Sequence, residues 1–383
     1  MSTYLDFNAS APLDSRVLDH MIDIFKGTVG NADSRTHDFG DSARKVVEDA
    51  RKSVAFILGI RNDEVFFTSG ATESNNIIIQ GLKEYAIESG RKHIITTSIE
   101  HKAVLETVKA LGREGFDITI VNPDISGRVS ADDVINQVRD DTLLVSIMHV
   151  NNETGIIQPV REIGEFLSDR NTFFHIDATQ SFGKLVDELQ KIKYDMLSMS
   201  AHKVYGPQGV GAMILRKKRY RLPPVKGILY GGQQEHGIRP GTMPVALISG
   251  LGKACEIAAE EYGDNEVYCI KLKKQLIDAL EKSGVSYSII GDQRWCVSST
   301  LNVSFPGVSA EALMLSTKQY CAVSNGSACN SKSYEPSYVL TAMGVPEEQI
   351  DSAVRISWGP SVMEEDFAVS TKRLLSVAKK LAL

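Results

Sequence analysis

A buried strand, a loop of small residues and the start of a helix follow one another in Glu64-Val65-Phe66-Phe67-Thr68-Ser69-Gly70-Ala71-Thr72-Glu73. The apolar run predicts a strand over 64–68, and the spacing of apolar residues predicts an amphipathic helix over 74–88. The loop between them exposes backbone N–H groups at the positive end of a helix dipole, which suits a phosphate. A strand-to-helix turn that needs Gly70 explains the loop about as well.

The same alternation continues on both sides of this stretch. A helical pattern over 42–59 precedes it. The short apolar runs that follow it predict further buried strands at 93–97, 118–121, 143–150, 173–176, 196–199 and 210–215. Amphipathic segments separate several of these runs. The alternation predicts an α/β domain in which helices cover both faces of a mainly parallel sheet.

A second, smaller domain is predicted towards the carboxyl end. A helical stretch over 248–283 is followed by apolar runs at 300–305 and 353–357 and by an amphipathic helix near 367–381. We therefore predict a large domain over 12–250 and a small α+β domain made of 1–11 and 251–383. No Pro/Gly linker marks the boundary.

Composition excludes several classes of protein. The 383 residues carry a formal charge of −6 with Lys and Arg spread along the chain, and the densest basic run, 216–221, is typical of a solvated turn. Direct binding to nucleic acid is not expected. No apolar run approaches the length of a membrane span, and the first residues lack the pattern of a secretory signal. We expect a cytoplasmic protein without a membrane association.

The cysteines predict reduced thiols and no metal site. There are five of them, Cys255, Cys269, Cys296, Cys321 and Cys329, in no CxxC pair and with no histidine pattern near them. An odd, scattered set without a secretory signal argues against a disulfide framework, and the spacing argues against structural zinc.

Two further motifs carry possible chemistry. Asp177 ends the apolar run of Phe174-His175-Ile176-Asp177, where a carboxylate needs a cation or hydrogen-bond donors. A pyridinium N–H would be such a partner, although a helix N-cap is about as good an interpretation. Lys203 follows another apolar strand, where a partly desolvated amine could form a Schiff base with an aldehyde. An ordinary loop lysine is the simpler interpretation of that motif alone.

The order of the three motifs is more informative than any one of them. A candidate phosphate loop, an acid at a strand end and then Ser200-Ala201-His202-Lys203 resemble the class V aminotransferase group of pyridoxal-phosphate enzymes. That cofactor needs a phosphate anchor, a lysine and an acid that keeps the ring nitrogen protonated.

One cysteine differs from the others in its surroundings. Cys329 lies in Ser324-Asn325-Gly326-Ser327-Ala328-Cys329-Asn330, among small polar residues, whereas Cys255 and Cys269 lie on helical stretches as core cysteines do. A thiol in such a loop could reach a substrate, and its thiolate would be the nucleophile.

With this loop, the chain resembles the group I cysteine desulfurases over essentially its whole length. The resemblance rests on ordered blocks that include SGATESNN (69–76), IEHKAV (99–104), SIMHVNNETG (146–155), HIDATQS (175–181), SAHKVYGPQG (200–209), SNGSAC (324–329) and VRISWG (354–359). It implies a fold-type I architecture with a mainly parallel seven-stranded sheet. The chain departs from the family's usual residues at Ala32, Pro240 and Asn325 and in the block around Asn8.

The resemblance also implies a role for each matching residue. Lys203 would carry pyridoxal 5′-phosphate and move protons, His101 would stack on the ring and act as an acid or base, and Cys329 would be the nucleophile. The remaining implied contacts are Asp177 to the pyridine nitrogen, Gln180 to the phenolic oxygen, Ala71, Thr72, Ser200 and His202 to the phosphate, Thr242 to the phosphate of the neighbouring subunit, and Asn152, Arg355 and Asn8 to the substrate carboxylate.

The implied reaction is the removal of sulfur from L-cysteine, which leaves L-alanine and a persulfide on Cys329. A homodimer with a shared active site and a sulfur-acceptor protein are the implied partners. The acceptor could belong to iron–sulfur cluster assembly, tRNA thiolation or DNA phosphorothioate modification. Selenocysteine lyase or aminotransferase activity and a catalytically idle sulfur-relay scaffold are the alternatives. An aminotransferase, however, has no need of Cys329, and a scaffold has no need of Lys203, Asp177 and His101.

Overall fold

The structure is a computed structural model that describes residues 2–326 and 336–382. Its centre is a seven-stranded sheet in the order β2-β8-β7-β6-β5-β3-β4. The strands are β2 Val65–Thr68, β3 His93–Thr97, β4 Asp117–Val121, β5 Thr142–Met148, β6 Phe173–Asp177, β7 Met196–Ser200 and β8 Gly211–Leu215. Only β8 runs against its neighbours. The predicted mainly parallel seven-stranded sheet is confirmed.

Helices cover both faces of this sheet, as the alternation of the sequence predicted. They are α1 Ser15–Gly27, α2 Asp38–Leu58, α3 Ala71–Gly81, α4 Lys83–Ser89, α5 Lys102–Arg113, α6 Ala131–Ile135, α7 Val160–Leu167, α8 Val186–Leu189 and α9 Val245–Ser283. Successive strand residues point to opposite faces. Phe66 and Leu144 therefore join one apolar core while Phe67 and Val145 join the other. Strands buried on both sides explain why the sequence has continuous apolar runs.

The helix predicted over 74–88 is two helices, and the prediction of one helix was wrong. α3 ends at Gly81 and α4 begins at Lys83. The carbonyl of Gly81 accepts a hydrogen bond from the backbone N–H of Lys226, 2.9 Å away. A Cβ atom at position 81 would lie 2.5 Å from the carbonyl oxygen of Lys226, so this close approach requires glycine. The contact with the segment around Lys226, which is distant in sequence, therefore accounts for the break between the two helices.

A second apolar core lies beside the central sheet. It is surrounded by the pair β1 Thr3–Tyr4 and β11 Cys321–Ala322, the sheet of β9 Ser288–Ile289, β10 Thr300–Ser304 and β12 Ala353–Ser357, and the helices α10 Ala310–Thr317 and α13 Glu364–Leu381. The helices α11 Tyr338–Ala342 and α12 Glu347–Asp351 pack in a smaller, separate core with Ile99 and Ile290. Leu5 and Phe7 of the N-terminal segment are buried in this core.

The long helix α9 contributes to both cores. Its residues up to Ala258 pack with the central sheet, and Cys269 to Leu280 pack in the second core. The helix is continuous from Val245 to Ser283, so the predicted boundary at 250 falls inside it. The division into two domains stays a prediction. Within 2–326 and 336–382, no helix is long and apolar enough to cross a membrane.

A buried ion pair fastens the loop after β8 to α2. Arg51 Nη2 lies 2.7 Å from Glu235 Oε1, and the two side chains are 12% and 4% exposed. Glu235 also accepts a hydrogen bond from the backbone N–H of Phe67 at 2.7 Å. Its own backbone is left-handed, with φ 47°, a conformation that costs energy in a residue other than glycine. The ion pair thus holds a strained loop against the edge of the sheet.

We predict that Glu235→Ala lowers the free energy of unfolding by about 3–5 kcal/mol, because it leaves the charge of Arg51 without its buried partner and only the half-exposed Glu48 beside it. Denaturant-induced unfolding followed by circular dichroism measures the change. Asp41→Ala is the matched control, since it breaks an exposed ion pair with Arg44 on the same helix and should cost less than about 1 kcal/mol. Equal losses in the two variants would contradict the assignment.

Candidate active site

A cavity of about 460 Å³ lies at the carboxyl edge of the central sheet. Parallel strands deliver their last residues to one edge, and ligands bind there in open α/β sheets. The cavity is lined by residues that directly follow or end strands β2, β3, β5, β6 and β7, among them Gly70, His101, Asn152, Asp177 and Ser200. The segment before β8 reaches the same edge because β8 runs in the opposite direction, and it contributes Gly209.

The predicted site residues are brought together by this geometry, with two exceptions. Those lining the cavity are Asn8, Ala71, Thr72, His101, Asn152, Asp177, Gln180, Ser200, His202, Lys203 and Arg355. Thr242 is exposed and lies outside the lining. Cys329 lies outside the described residues.

The loop predicted to bind phosphate has the geometry of an anion site. Gly70 precedes α3 with φ 150°, a conformation that L side chains rarely adopt, and the helix begins at Ala71. Its first backbone N–H groups therefore lie at the cavity wall, where the helix dipole is positive. A Cβ atom at Gly211 would lie 2.7 Å from the Cα of Gly70, so glycine at 211 lets the loop pack closely against the start of β8.

Asp177 is a buried carboxylate held by hydrogen-bond donors. It ends β6 and is 4% exposed. Oδ1 accepts from the backbone N–H of Thr179 at 3.0 Å and from its hydroxyl at 2.5 Å, and Oδ2 accepts from Asn75 Nδ2 at 2.8 Å. Both carboxyl oxygens of this buried side chain therefore have hydrogen-bond partners. The carboxylate can therefore serve as the counter-ion of a cationic ligand in the cavity.

Lys203 follows β7 in a single turn of 3₁₀ helix, Ala201–Lys203. Its Nζ donates hydrogen bonds to the carbonyls of Asn8 and Ala9, both at 2.6 Å. Two residues later Tyr205 has a left-handed backbone, with φ 61°. The N-terminal segment thus holds the lysine amine inside the cavity.

Two histidines of the cavity have lowered pKa values. Burial is the main cause for His101, and it lowers the pKa of the imidazole below its usual range, assisted by the charges of Lys203 and Lys102 and opposed by that of Asp177. Burial and the charge of Lys203 lower the pKa of His202 to about 4. Nδ1 of His101 accepts a hydrogen bond from the backbone N–H of Ala103 at 3.1 Å, so the proton of the neutral ring lies on Nε2.

Arg355 lies in the middle of β12 with a side chain that is 4% exposed. Its Nη1 donates to the carbonyl of Asn152 at 2.9 Å, and its Nη2 lies 2.5 Å from Asp6 Oδ1. A guanidinium has five N–H donors. These two contacts leave further donors on both Nη atoms for a carboxylate.

Two buried side-chain oxygens of the lining lack a hydrogen-bond partner within the part of the chain that the structure describes. They are Oε1 of Gln180 and Oδ1 of Asn152. Unsatisfied buried polar atoms are rare in folded proteins and often mark a ligand site. An amine, an anion site and a buried carboxylate around one cavity, with these two amides, fit the aldehyde, the phosphate and the ring nitrogen of pyridoxal phosphate.

Several residues of the site were missed in the sequence. Asn75 and Thr179 hold Asp177, and Asp6 holds Arg355. Asn75 could have been found, because it lies one helical turn after Ala71 and so shares its face. Asp6 is close to Arg355 only through long-range pairing of the N-terminal segment. Among the described residues no group of three His, Cys, Asp or Glu could hold a metal ion.

Comparison with known proteins gives one consistent family. The model of the aminotransferase class-V family matches residues 3–368. A cysteine desulfurase IscS of Vibrio vulnificus is 42% identical over 381 residues, which cover 99% of this chain and 93% of that protein. A solved NifS-like protein superposes with a TM-score of 0.91 at 38% identity, covering 99% of this chain and all of the other.

A second solved structure, of SspA in complex with cysteine, has a TM-score of 0.81 at 37% identity and covers 94% of this chain and all of that one. These matches confirm the fold-type I architecture, the predicted reaction and its cofactor, pyridoxal phosphate. The chain therefore belongs to the class-V aminotransferase family and, within it, to the pyridoxal-phosphate-dependent cysteine desulfurases.

Proposed function

We propose that Lys203, His101 and Cys329 are the catalytic residues with which this desulfurase converts L-cysteine into L-alanine and a persulfide. The observation that carries the proposal is the arrangement of Lys203, Asp177 and Arg355 around one cavity. The cysteine in the related SspA structure supports L-cysteine as the substrate here. Cys329 lies outside the described residues, and its role rests on the sequence motif.

The residues of the cavity divide into a cofactor set and a substrate set. Ala71, Thr72, Ser200 and His202 would hold the phosphate, Asp177 the ring nitrogen, Gln180 the phenolic oxygen and Lys203 the aldehyde carbon. When bound, pyridoxal phosphate supplies an electron sink for charge that develops at the substrate Cα. Because the lowered pKa of His202 keeps its ring neutral at pH 7, the ring can donate one hydrogen bond to the phosphate.

Arg355 and Asn152 would hold the substrate carboxylate. A guanidinium offers a carboxylate two parallel hydrogen bonds, and Asn152 lines the same wall, where its Nδ2 group would be the donor because a carboxylate only accepts hydrogen bonds. The side chain of Asn8, in contrast, already donates to Thr300 Oγ1 at 3.0 Å and to the Asn152 carbonyl at 3.2 Å. Its share in carboxylate binding stays a prediction.

Proton transfer is assigned to Lys203 and His101. The amine of Lys203 would move a proton at the substrate Cα. His101 would act near the substrate sulfur through Nε2, which carries the proton of the neutral ring. Because its pKa is lowered, the ring is neutral at pH 7 and gains a second proton only in more acidic solution.

Cys329 would then collect the sulfur. Its thiolate attacks the substrate sulfur, a sulfur–sulfur bond forms, and the bond between sulfur and the substrate Cβ breaks. The carbon keeps the electron pair and gains a proton, which gives L-alanine. The persulfide on Cys329 would pass to an acceptor protein of iron–sulfur cluster assembly, tRNA thiolation or DNA phosphorothioate modification.

We also propose a homodimer in which Thr242 completes the neighbouring site. Leu18, Ile22 and Phe25 recur on one face of α1 and are exposed, Phe25 by 63%. A chain of hydrogen bonds, Gln234 to Asp33 at 2.6 Å and Gly241 to Gln234 at 3.0 Å, connects the loop after this helix with the segment that carries Thr242. An exposed apolar patch of this kind marks a protein interface.

We predict that Lys203→Ala loses the visible absorbance of covalently held cofactor, because the amine that binds the aldehyde is gone. The spectrum of the purified protein measures this, and Lys109→Ala, at an exposed position on α5, is the control. An unchanged spectrum in Lys203→Ala would refute the assignment.

For Cys329→Ala we expect an unchanged cofactor spectrum but a loss of at least about 100-fold in sulfide release from L-cysteine under reducing conditions, since the nucleophile is missing. The control is Cys296→Ala, which removes the one of the four cysteines in the described ranges that is not buried. Normal sulfide release from Cys329→Ala would sink the nucleophile assignment.

Phe25→Asp should convert the dimer into a monomer, because it places a charge in the apolar patch, and the cofactor should dissociate more readily without Thr242 of the partner subunit. Sedimentation velocity and the retained cofactor absorbance measure the two effects. Phe56→Asp, at a comparably exposed phenylalanine of α2, is the control. A wild-type monomer, or a Phe25→Asp dimer with unchanged cofactor retention, would contradict the proposal.

A further inference from the structure

One short N-terminal segment, residues 6–9, contacts both cations of the cavity. Asp6 pairs with Arg355 through the 2.5 Å contact, and the carbonyls of Asn8 and Ala9 accept hydrogen bonds from Lys203. Residues 7–9 form a turn, in which the backbone N–H of Ala9 donates to the carbonyl of Asp6 at 3.0 Å. The turn brings the partner of the proposed carboxylate anchor close to the partners of the proposed cofactor lysine.

The segment is fixed in place by backbone pairing along β12. The backbone N–H of Ser357 donates to the carbonyl of Leu5 at 2.9 Å, and that of Phe7 donates to the carbonyl of Ser357 at 3.3 Å. Asp6 therefore forms a parallel bridge with Ser357, two residues after Arg355 on the same strand. The side chains of Leu5 and Phe7 are buried in the second core. Asp6 is thus held on a rigid backbone.

Arg355 depends on this contact because its guanidinium is buried. A charge that is 4% exposed needs a partner and hydrogen bonds. Asp6 is the acid that makes the direct ion pair, and Glu153 faces the guanidinium as a second, buried acid. The carbonyl of Asn152 restrains Nη1, and Asp6 restrains Nη2. The plane of the guanidinium is therefore set by contacts on both arms.

We infer that Asp6 is a positioning residue that sets the orientation of Arg355 and so makes the cavity selective for substrates with an α-carboxylate. The inference rests on the proposed role of Arg355. Asp6 does not line the cavity and acts through the arginine. Its oxygen fixes one Nη atom, so that the remaining donors stay directed at the place where the two-pronged contact with a carboxylate forms.

The test compares two ligands that differ only in the carboxylate. L-alanine and ethylamine are titrated into the holoenzyme, and binding is followed by the visible absorbance of the cofactor. Asp6→Ala should lower the affinity for L-alanine by about tenfold or more, because a lost hydrogen bond to a charged group costs at least that factor. Ethylamine should bind as it does to the wild type. A general disturbance of the site would weaken both ligands, and that outcome overturns the inference.

Two conservative variants separate the effect of the hydrogen bond that Asp6 makes from the effect of its charge. Asp6→Asn keeps an acceptor oxygen without the charge and should bind L-alanine within about threefold of the wild type, since the hydrogen bond remains. Asp6→Ser shortens the side chain and should behave as Asp6→Ala does, and it replaces that variant if Asp6→Ala does not fold. An Asp6→Asn variant as weak as Asp6→Ala would show a charge effect and contradict positioning.

The controls distinguish this inference from the proposed function. Asp292→Ala removes a carboxylate of similar exposure, 21% against 19% for Asp6, from an ion pair with Arg294 outside the cavity, and it should change neither affinity. Arg355→Ala should weaken the binding of L-alanine and leave that of ethylamine unchanged. If Arg355→Ala binds L-alanine as the wild type does, the proposed role of Arg355 fails. If Arg355→Ala loses affinity for L-alanine and Asp6→Ala does not, only the inference on Asp6 fails.

Discussion

The common direction of the strands is the constraint on which the site depends. Strands β3, β5, β6 and β7 run parallel, so their last residues meet at one edge of the sheet. β8 reverses direction between β7 and β2, which leaves β2 parallel to β7 and brings the loop before α3 to the same edge. Residues that are far apart in sequence therefore surround one cavity, and only short loops at the edge of the sheet are needed to bring them there. Examples are Gly70, His101, Asp177 and Lys203.

The second core contributes side chains of the site that the central sheet does not carry. The central sheet provides the anion site, the acid and the lysine, but Arg355 comes from β12 and Asp6 from the N-terminal segment. That segment packs in the second core and ends at the carbonyls that hold Lys203. The helix α9 joins the two cores without a break. The relative position of the lysine and the arginine is thus determined by packing between the cores and by a few hydrogen bonds of residues 6–9.

The sequence predicted the parts whose signal is local. The strands of the central sheet were predicted to within about two residues, because strands covered on both faces are continuous apolar runs. The break at Gly81 was missed, since its cause is the segment at Lys226. Asp177 and Lys203 were recognisable as candidates because the first ends a strand and the second follows one, whereas Asp6 was not, since its partner lies 349 residues away. The roles of the site residues came from the family resemblance, because no local pattern distinguishes a cofactor lysine from a loop lysine.

Two buried acids near the cavity, Glu100 and Asp177, differ in their surroundings. Glu100 is fully buried beside His101, and burial raises the pKa of its carboxyl to about 8, although Thr97 and the backbone N–H of Met148 donate to it. At pH 7 this acid is therefore mostly neutral. Asp177 receives three donors, two from Thr179 and one from Asn75. Asp177 is thus the acid of the two that lines the cavity and has the larger set of donors, which suits the contact with a ring nitrogen that is proposed for it.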